Sequence, residues 1–291
     1  MARIGAATAG ARGGRGMKRR PFLLAAAALP LARAQAVPRL VTIGGAITEV
    51  VYALGAQEQL VGTDTTSLYP PAAQRTAKVG YMRQLSAEGV LALRPNALVA
   101  TTEAGPPVVL DQLRSAGVQV ERVRADHTWA EVQRKVQAVG RACAREAGAR
   151  ELQQRLDSEW NAALAEVARS NRARPRVLFI LSHGASPQVA GGHTAAHALI
   201  GFAGGTNAIA GFDGYRPLTA EAMAAAAPDV ILTTTQGIEA QGGEQKFWSR
   251  PELALTPAFA RKALVSLDAL LLLGFGPRLP QAVGEVHRRI A

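Results

Sequence analysis

Apolar positions along the chain fall into short strand-length runs alternating with stretches at helical spacing. Strands are expected at residues 40–43, 97–101 and 118–123, and again at 176–181, 230–233 and 263–266. Each run is β-branched or leucine-rich and is bounded by Gly, Pro or Asn, residues that punctuate strands. Between the two sets, residues 128–170 are rich in Ala, Arg, Glu, Gln and Leu, which are good helix formers. Val132, Val136 and Val139 recur at helical spacing there, as do Leu152, Leu156, Trp160 and Leu164 beyond a break expected at Gly148. The second stretch, about 22 residues, extends roughly 33 Å as a helix. A helical connection is stiff, so modest changes in the gap between the two groups are expected rather than a wide hinge.

The two groups repeat each other. Residues 85–102 align without gaps on 218–235, with seven of eighteen positions identical, Glu88/Glu221 and Pro95/Pro228 among them. Gly80-Tyr81 and Gly214-Tyr215 precede the aligned segments, and Gly44-Gly45 and Gly191-Gly192 each open a helical pattern. Strands alternating with helices imply a parallel sheet with covering helices. The expected fold is therefore α/β: two Rossmann-like lobes with parallel sheets, joined by a long rigid helix, with a ligand cleft between them. The lobes are expected over residues 37–127 and 172–291, with the linking helical region at 128–171.

Composition narrows the function. The chain has 291 residues, 48% of them hydrophobic and 19% charged, too apolar for a disordered protein. Its one cysteine, Cys143, excludes a disulfide framework and reads as a small buried apolar side chain in the helical region. The net charge of +11 is concentrated at one end, because residues 1–36 carry seven basic groups and no acid. The remainder is only mildly basic, so a nucleic-acid partner is not indicated. Lys18-Arg19-Arg20, the apolar run 21–31 and a small-x-small site ending at Ala34 or Ala36 read as a secretory signal. That run is shorter than the roughly 20 residues needed to span a bilayer. Arg19-Arg20-Pro21-Phe22-Leu23 resembles a twin-arginine export signal, and residues 1–16 read as a segment upstream of a second start at Met17. No cysteine follows the apolar run, so no lipid anchor is expected. The mature protein is expected in the periplasm, soluble and without an integral membrane segment.

Residues 39–69, with Gly44-Gly45, Glu49 and the run through Asp64 to Ser67, resemble the first lobe of class III periplasmic substrate-binding proteins, which have a helical backbone. These serve ATP-driven importers of haem, cobalamin and iron siderophores. The segment from Lys78 through Tyr81 and Arg83 to Glu88 is similar to the haem-binding branch, as are Tyr215 to Glu221 and Leu273 to Arg278. The resemblance covers residues 39–290. It implies a non-enzymatic binding protein that captures ferric haem b (Fe3+ protoporphyrin IX). It further implies a monomer that delivers this ligand to an ABC permease dimer with its ATPase. A cobalamin or ferric-siderophore binding protein of the same fold is the alternative. A zinc or manganese site needs three or four converging His, Asp or Glu ligands, and the first lobe has no histidine before His127. An enzyme is likewise less favoured, since no phosphate loop, nucleophile elbow or paired carboxylate near a histidine stands out.

Tyr81 follows Gly80 in a loop from which it can reach the gap between lobes, where ligands of α/β lobes sit. Its ring can also pack on the lobe surface with only its hydroxyl bonded; the resemblance implies an axial tyrosinate ligand of the haem iron. A phenolate is a hard oxygen suited to ferric iron, but a free phenol ionises only near pH 10. The ferric ion and a neighbouring cation must favour the anion, and Arg83 is placed to supply that cation. His193 and His183 stand at cleft-facing ends and read either as a second axial or second-haem ligand or as loop histidines. His193 and His197 lack the intervening glutamate of a zinc-protease helix, and His197 and His287 read as structural. Tyr215 and Arg216 mirror Tyr81 and Arg83 across the repeat, suited to stack on a porphyrin and to pair with a propionate. Arg278 is expected to act similarly. Glu88 and Glu221 each begin a short helix, where the dipole favours a carboxylate by about 0.3–1 kcal/mol. The resemblance implies that this pair docks onto arginines of the two permease subunits.

Overall fold

The computed structural model of the chain describes residues 38–182, 187–209 and 211–290. The leader read at residues 1–36 and His183 lie outside the described residues. The first lobe comprises β1 (Leu40–Ile43), α1 (Gly45–Ala53), β2 (Leu60–Thr63), α2 (Ala87–Leu91), β3 (Ala97–Thr101), α3 (Pro107–Ser115) and β4 (Gln119–Val123). Its strands form a parallel sheet in the order β2-β1-β3-β4. Two helices follow, α4 (Trp129–Ala142) and α5 (Glu146–Arg169). The second lobe opens with β5 (Arg176–Leu181), β6 (Gln188–Ala190), α6 (Ala195–Phe202), β7 (Thr206–Asn207) and β8 (Tyr215–Pro217). It continues through α7 (Ala220–Ala226), β9 (Val230–Thr234), α8 (Thr235–Ala240), α9 (Glu244–Trp248) and α10 (Pro257–Arg261). β10 (Leu264–Leu267), α11 (Ala269–Leu273) and α12 (Leu279–Ile290) complete it.

In the second lobe the parallel set β7-β5-β9-β10 reproduces the order of the first sheet. Two antiparallel strands, β6 and β8, are added beside β5. The second sheet thus keeps the expected parallel set and carries an antiparallel edge in addition. The internal repeat persists in atomic detail. Ser86 and Thr219 cap α2 and α7 by accepting the amides of Gly89 and Ala222. The aligned residues Arg94 and Ala227 both turn left-handed, at φ 47° and 38°. Each directly precedes a proline, which steers its neighbour away from right-handed helix, so each short helix stops and the chain turns into a strand.

β2 was not expected, and Gly62 explains why. Glycine weakens a strand signal, yet a Cβ at Gly62 would lie only 2.5 Å from Leu93 Cδ1. The helical break is also displaced from Gly148 to Ala144, which adopts φ 52°, leaving Gly148 inside α5. α4 packs on α1, β3 and β4, whereas α5 lies between α4 and α12. Trp129 of α4 stacks on Trp160 of α5 at 4.8 Å and donates Nε1 to Asp157 at 2.7 Å. Cys143 is buried in the turn between them, and burial pushes its thiol up to about 12.

One apolar core runs from Leu40 and Val50 through Val136 and Leu156 to Val177, Leu199 and Val283. Separating the lobes would expose this surface to water, the physical reason that the connection is stiff. A second junction reinforces it. A Cβ at Gly276 would lie 3.0 Å from Ala46 Cβ, so the second-lobe segment 274–278 sits directly on α1. Arg278 donates Nε and Nη2 to Glu49 of α1 at 3.0 and 2.5 Å. Lys135 of α4, fully enclosed, donates to Glu131 at 2.6 Å and to the carbonyls of Gly274 and Phe275 at 2.9 Å each. Burial lowers the Lys135 pKa and Glu131 opposes that shift.

Candidate functional site

A cavity of about 530 Å³ lies between the lobes, within the roughly 300–1,000 Å³ of small-molecule sites. Its walls are built where strands end. Gly44 follows β1, Thr101 and Glu103 end and follow β3, and His127 follows β4; from the other lobe, Gln236 follows β9 and Leu270 follows β10. Ligands of parallel α/β sheets bind beyond the carboxyl ends of the strands. Ile47, Leu68, Met82, Leu270 and Leu273 make much of the wall apolar.

The Gly-Gly corner at one end is fixed by Asp64. This buried carboxylate accepts the Gly44 amide at 2.9 Å, the Thr66 amide at 3.0 Å and the Thr66 and Ser67 hydroxyls at 2.6 and 2.9 Å. Gly45 in turn donates to Thr66 Oγ1 at 3.1 Å, and a Cβ there would meet the Thr66 carbonyl at 2.5 Å. Only glycine lets the start of α1 approach so closely.

Tyr81 lines the cavity and is 40% exposed. Its loop is pinned on both sides. Gly80 takes φ 101° and its carbonyl accepts the Thr65 amide, and the Tyr81 carbonyl closes a turn with the Gln84 amide. Gly105 then donates to the Met82 carbonyl, and Leu85 donates to that of Gly105. This stitching sets Arg83 opposite Glu103. The Arg83 guanidinium donates Nη1 to the Tyr81 oxygen at 3.0 Å and Nη2 to Glu103 Oε1 at 2.8 Å. Partial burial alone pulls the Arg83 pKa down, but Glu103 and Tyr81 outweigh it and raise the pKa.

Tyr215, on β8 of the second lobe, is not among the residues that line this cavity. Burial pushes its hydroxyl up to about 12; the Glu103 carboxylate adds to the shift and Arg83 opposes it. The second-lobe tyrosine therefore feels both members of the first-lobe ion pair.

Three expected contacts lie elsewhere. Successive strand residues point to opposite faces, so Arg216 turns away from Tyr215. Its guanidinium sits 4.5 Å over the Phe212 ring in a separate groove. Arg278 is committed to Glu49 and lies 3.6 Å over the Tyr69 ring, outside the lining of the Tyr81 cavity. His193, whose side chain is 85% exposed, stands 3.9 Å from Asp213 and borders a different pocket with Arg124, His127 and His197. His197 is exposed rather than enclosed by its apolar helix, with Nδ1 3.3 Å from Asn207 Nδ2. His287 meets the Ala203 carbonyl at 2.9 Å. Glu88 and Glu221 are exposed in the first turns of α2 and α7.

The sequence reading missed Glu103, His127, Glu131 and Lys135, all of which line the cavity. His127 is held at φ 55° with its amide on Glu131 Oε2 at 2.7 Å and its ring 5.3 Å from Phe275. Glu131 and Lys135 are spaced as an ordinary exposed helix pair, and only the fold reveals that they are buried. Among the described residues no group of three or more His, Cys, Asp or Glu gathers to hold a metal ion, and no helix is long and apolar enough to cross a membrane.

Residues 40–270 match the periplasmic binding protein family. The chain belongs to that family. The solved structure of the periplasmic haem-binding protein BhuT, in complex with two haems, is similar at 47% identity and a TM-score of 0.84, covering 87% of this chain and 97% of that one. An uncharacterized ABC transporter substrate-binding lipoprotein, YvrC of Bacillus subtilis (strain 168), is 26% identical over 87% of this chain and 79% of its own length. A cobalamin-binding protein of Halobacterium salinarum (strain ATCC 29341 / DSM 671 / R1) is 30% identical over 67% of this chain and 53% of its own. The chain is thus a member of a binding-protein family, and its relatives include an ABC transporter substrate-binding lipoprotein.

Proposed function

We propose that the chain captures ferric haem in the periplasm, through a tyrosinate ligand from Tyr81, and hands it to an ABC permease dimer with its ATPase. The observation that carries this reading is Tyr81 facing an apolar inter-lobe cavity with the Arg83 guanidinium on its phenolic oxygen. A phenolate is a hard anionic donor matched to Fe3+, and a cation at hydrogen-bond distance stabilises that anion. The similarity to BhuT supports haem as the ligand. Tyr215 closes over the ligand from the second lobe as a neutral phenol, supplying an aromatic face and a hydroxyl donor. Glu88 and Glu221, exposed at matching positions of the repeat, are the two docking points for the permease.

The test is a titration of the purified protein with ferric haem and with cobalamin. Haem is expected to give a Soret band and a tyrosinate charge-transfer absorption, with cobalamin bound far more weakly. Tight cobalamin binding without a haem spectrum would favour the reading drawn from the Halobacterium relative.

A further inference from the structure

Tyr81 lines the inter-lobe cavity, and its phenolate would suit ferric iron. What sets this tyrosine apart is the ion pair beside it. Arginine is a long side chain that loses considerable rotamer freedom when it is fixed, and Arg83 is half-exposed, with 53% of its side-chain surface accessible. One hydrogen bond to a phenol does not hold such a group in place. Glu103 supplies the second contact, taking Nη2 at 2.8 Å while Nη1 remains directed at Tyr81 at 3.0 Å. The Glu103 and Tyr81 loops are themselves joined through the Gly105 amide and the Met82 carbonyl. The carboxylate is therefore delivered to the guanidinium by the backbone.

We infer that Glu103 is a positioning residue: it holds the Arg83 guanidinium against the Tyr81 oxygen, where the cation favours the phenolate that would ligate iron. The inference rests on the haem reading above.

The test loads wild type, Glu103→Gln and Glu103→Asp with ferric haem. It records the tyrosinate charge-transfer band and the rate of haem transfer to excess apomyoglobin. Glu103→Gln is expected to shift the band and speed release by about three- to tenfold, while Glu103→Asp stays near wild type. Melting temperatures are expected to coincide, because both partners are accessible at the surface. A haem-loaded Glu103→Gln protein with the wild-type band and release rate overturns the inference alone. A wild-type protein that forms no haem spectrum overturns the haem reading, and the inference with it.

Discussion

The Arg83 guanidinium meets the Tyr81 oxygen at 3.0 Å although the two residues are only two apart in the chain. Neighbours at that spacing do not meet on a helix; here the turn closed by the Tyr81 carbonyl and the Gln84 amide folds one back over the other. Removing the cation with Arg83→Ala is expected to weaken ferric haem binding by about tenfold and to move the charge-transfer band. Arg83→Lys keeps the charge but not the planar fork, and is expected to fall between. Equilibrium titration followed at the Soret band checks both.

Tyr215 carries the pH prediction. A free tyrosine titrates near 10, and in the folded chain burial lifts Tyr215 to about 12. Between those values the folded state binds more protons than the unfolded state, so stability falls as pH rises from about 10 through 12. Absorbance titration of the phenolates should show one late-ionising tyrosine that disappears in Tyr215→Phe. That variant should also flatten the alkaline loss of stability.

Lys135 ties the lobes together. Its ammonium joins Glu131 of its own helix to the carbonyls of Gly274 and Phe275, some 140 residues away. Lys135→Ala leaves Glu131 as a buried uncompensated carboxylate, and a loss of about 3–5 kcal/mol is expected by chemical denaturation. Glu131 also accepts the amides of Asp126 and His127. The same variant should therefore loosen the His127 wall and speed amide exchange in the 126–128 turn.

Much of this arrangement was legible in the chain. The repeat of residues 85–102 at 218–235 marked α2 with β3 and α7 with β9, because a cap, a helix and a pre-proline turn are all local signals. The Tyr81 loop and the nearness of Arg83 were legible for the same reason. What escaped depends on distant partners. Gly62 looks like a strand breaker until Leu93 is seen against it. Ala144 ends α4 where Gly148 was expected to, because α5 starts at Glu146 and Gly140 lies against Ala149. Arg278 carries a charge suited to a propionate, but Glu49, 229 positions earlier, claims it. Glu103 gave no sign of its role, since nothing in the sequence sets it opposite Arg83.

Glu88 and Glu221 test the proposed docking apart from the proposed capture. Both are exposed and lie outside the lining of the Tyr81 cavity, so Glu88→Lys with Glu221→Lys is expected to leave haem affinity unchanged. Stimulation of the cognate permease's ATPase by the loaded protein should drop sharply, and each single variant should show a partial effect. Unchanged stimulation in the double variant would remove the docking role.

The most direct measurement of the central claim is a ferric haem titration of wild type beside Tyr81→Phe, which deletes one oxygen from a 40% exposed side chain. Wild type should bind with a Soret band and a tyrosinate charge-transfer absorption. Tyr81→Phe should lose that absorption and bind at least about tenfold more weakly, with its melting temperature unchanged. Identical spectra and affinities for the two proteins would contradict the account.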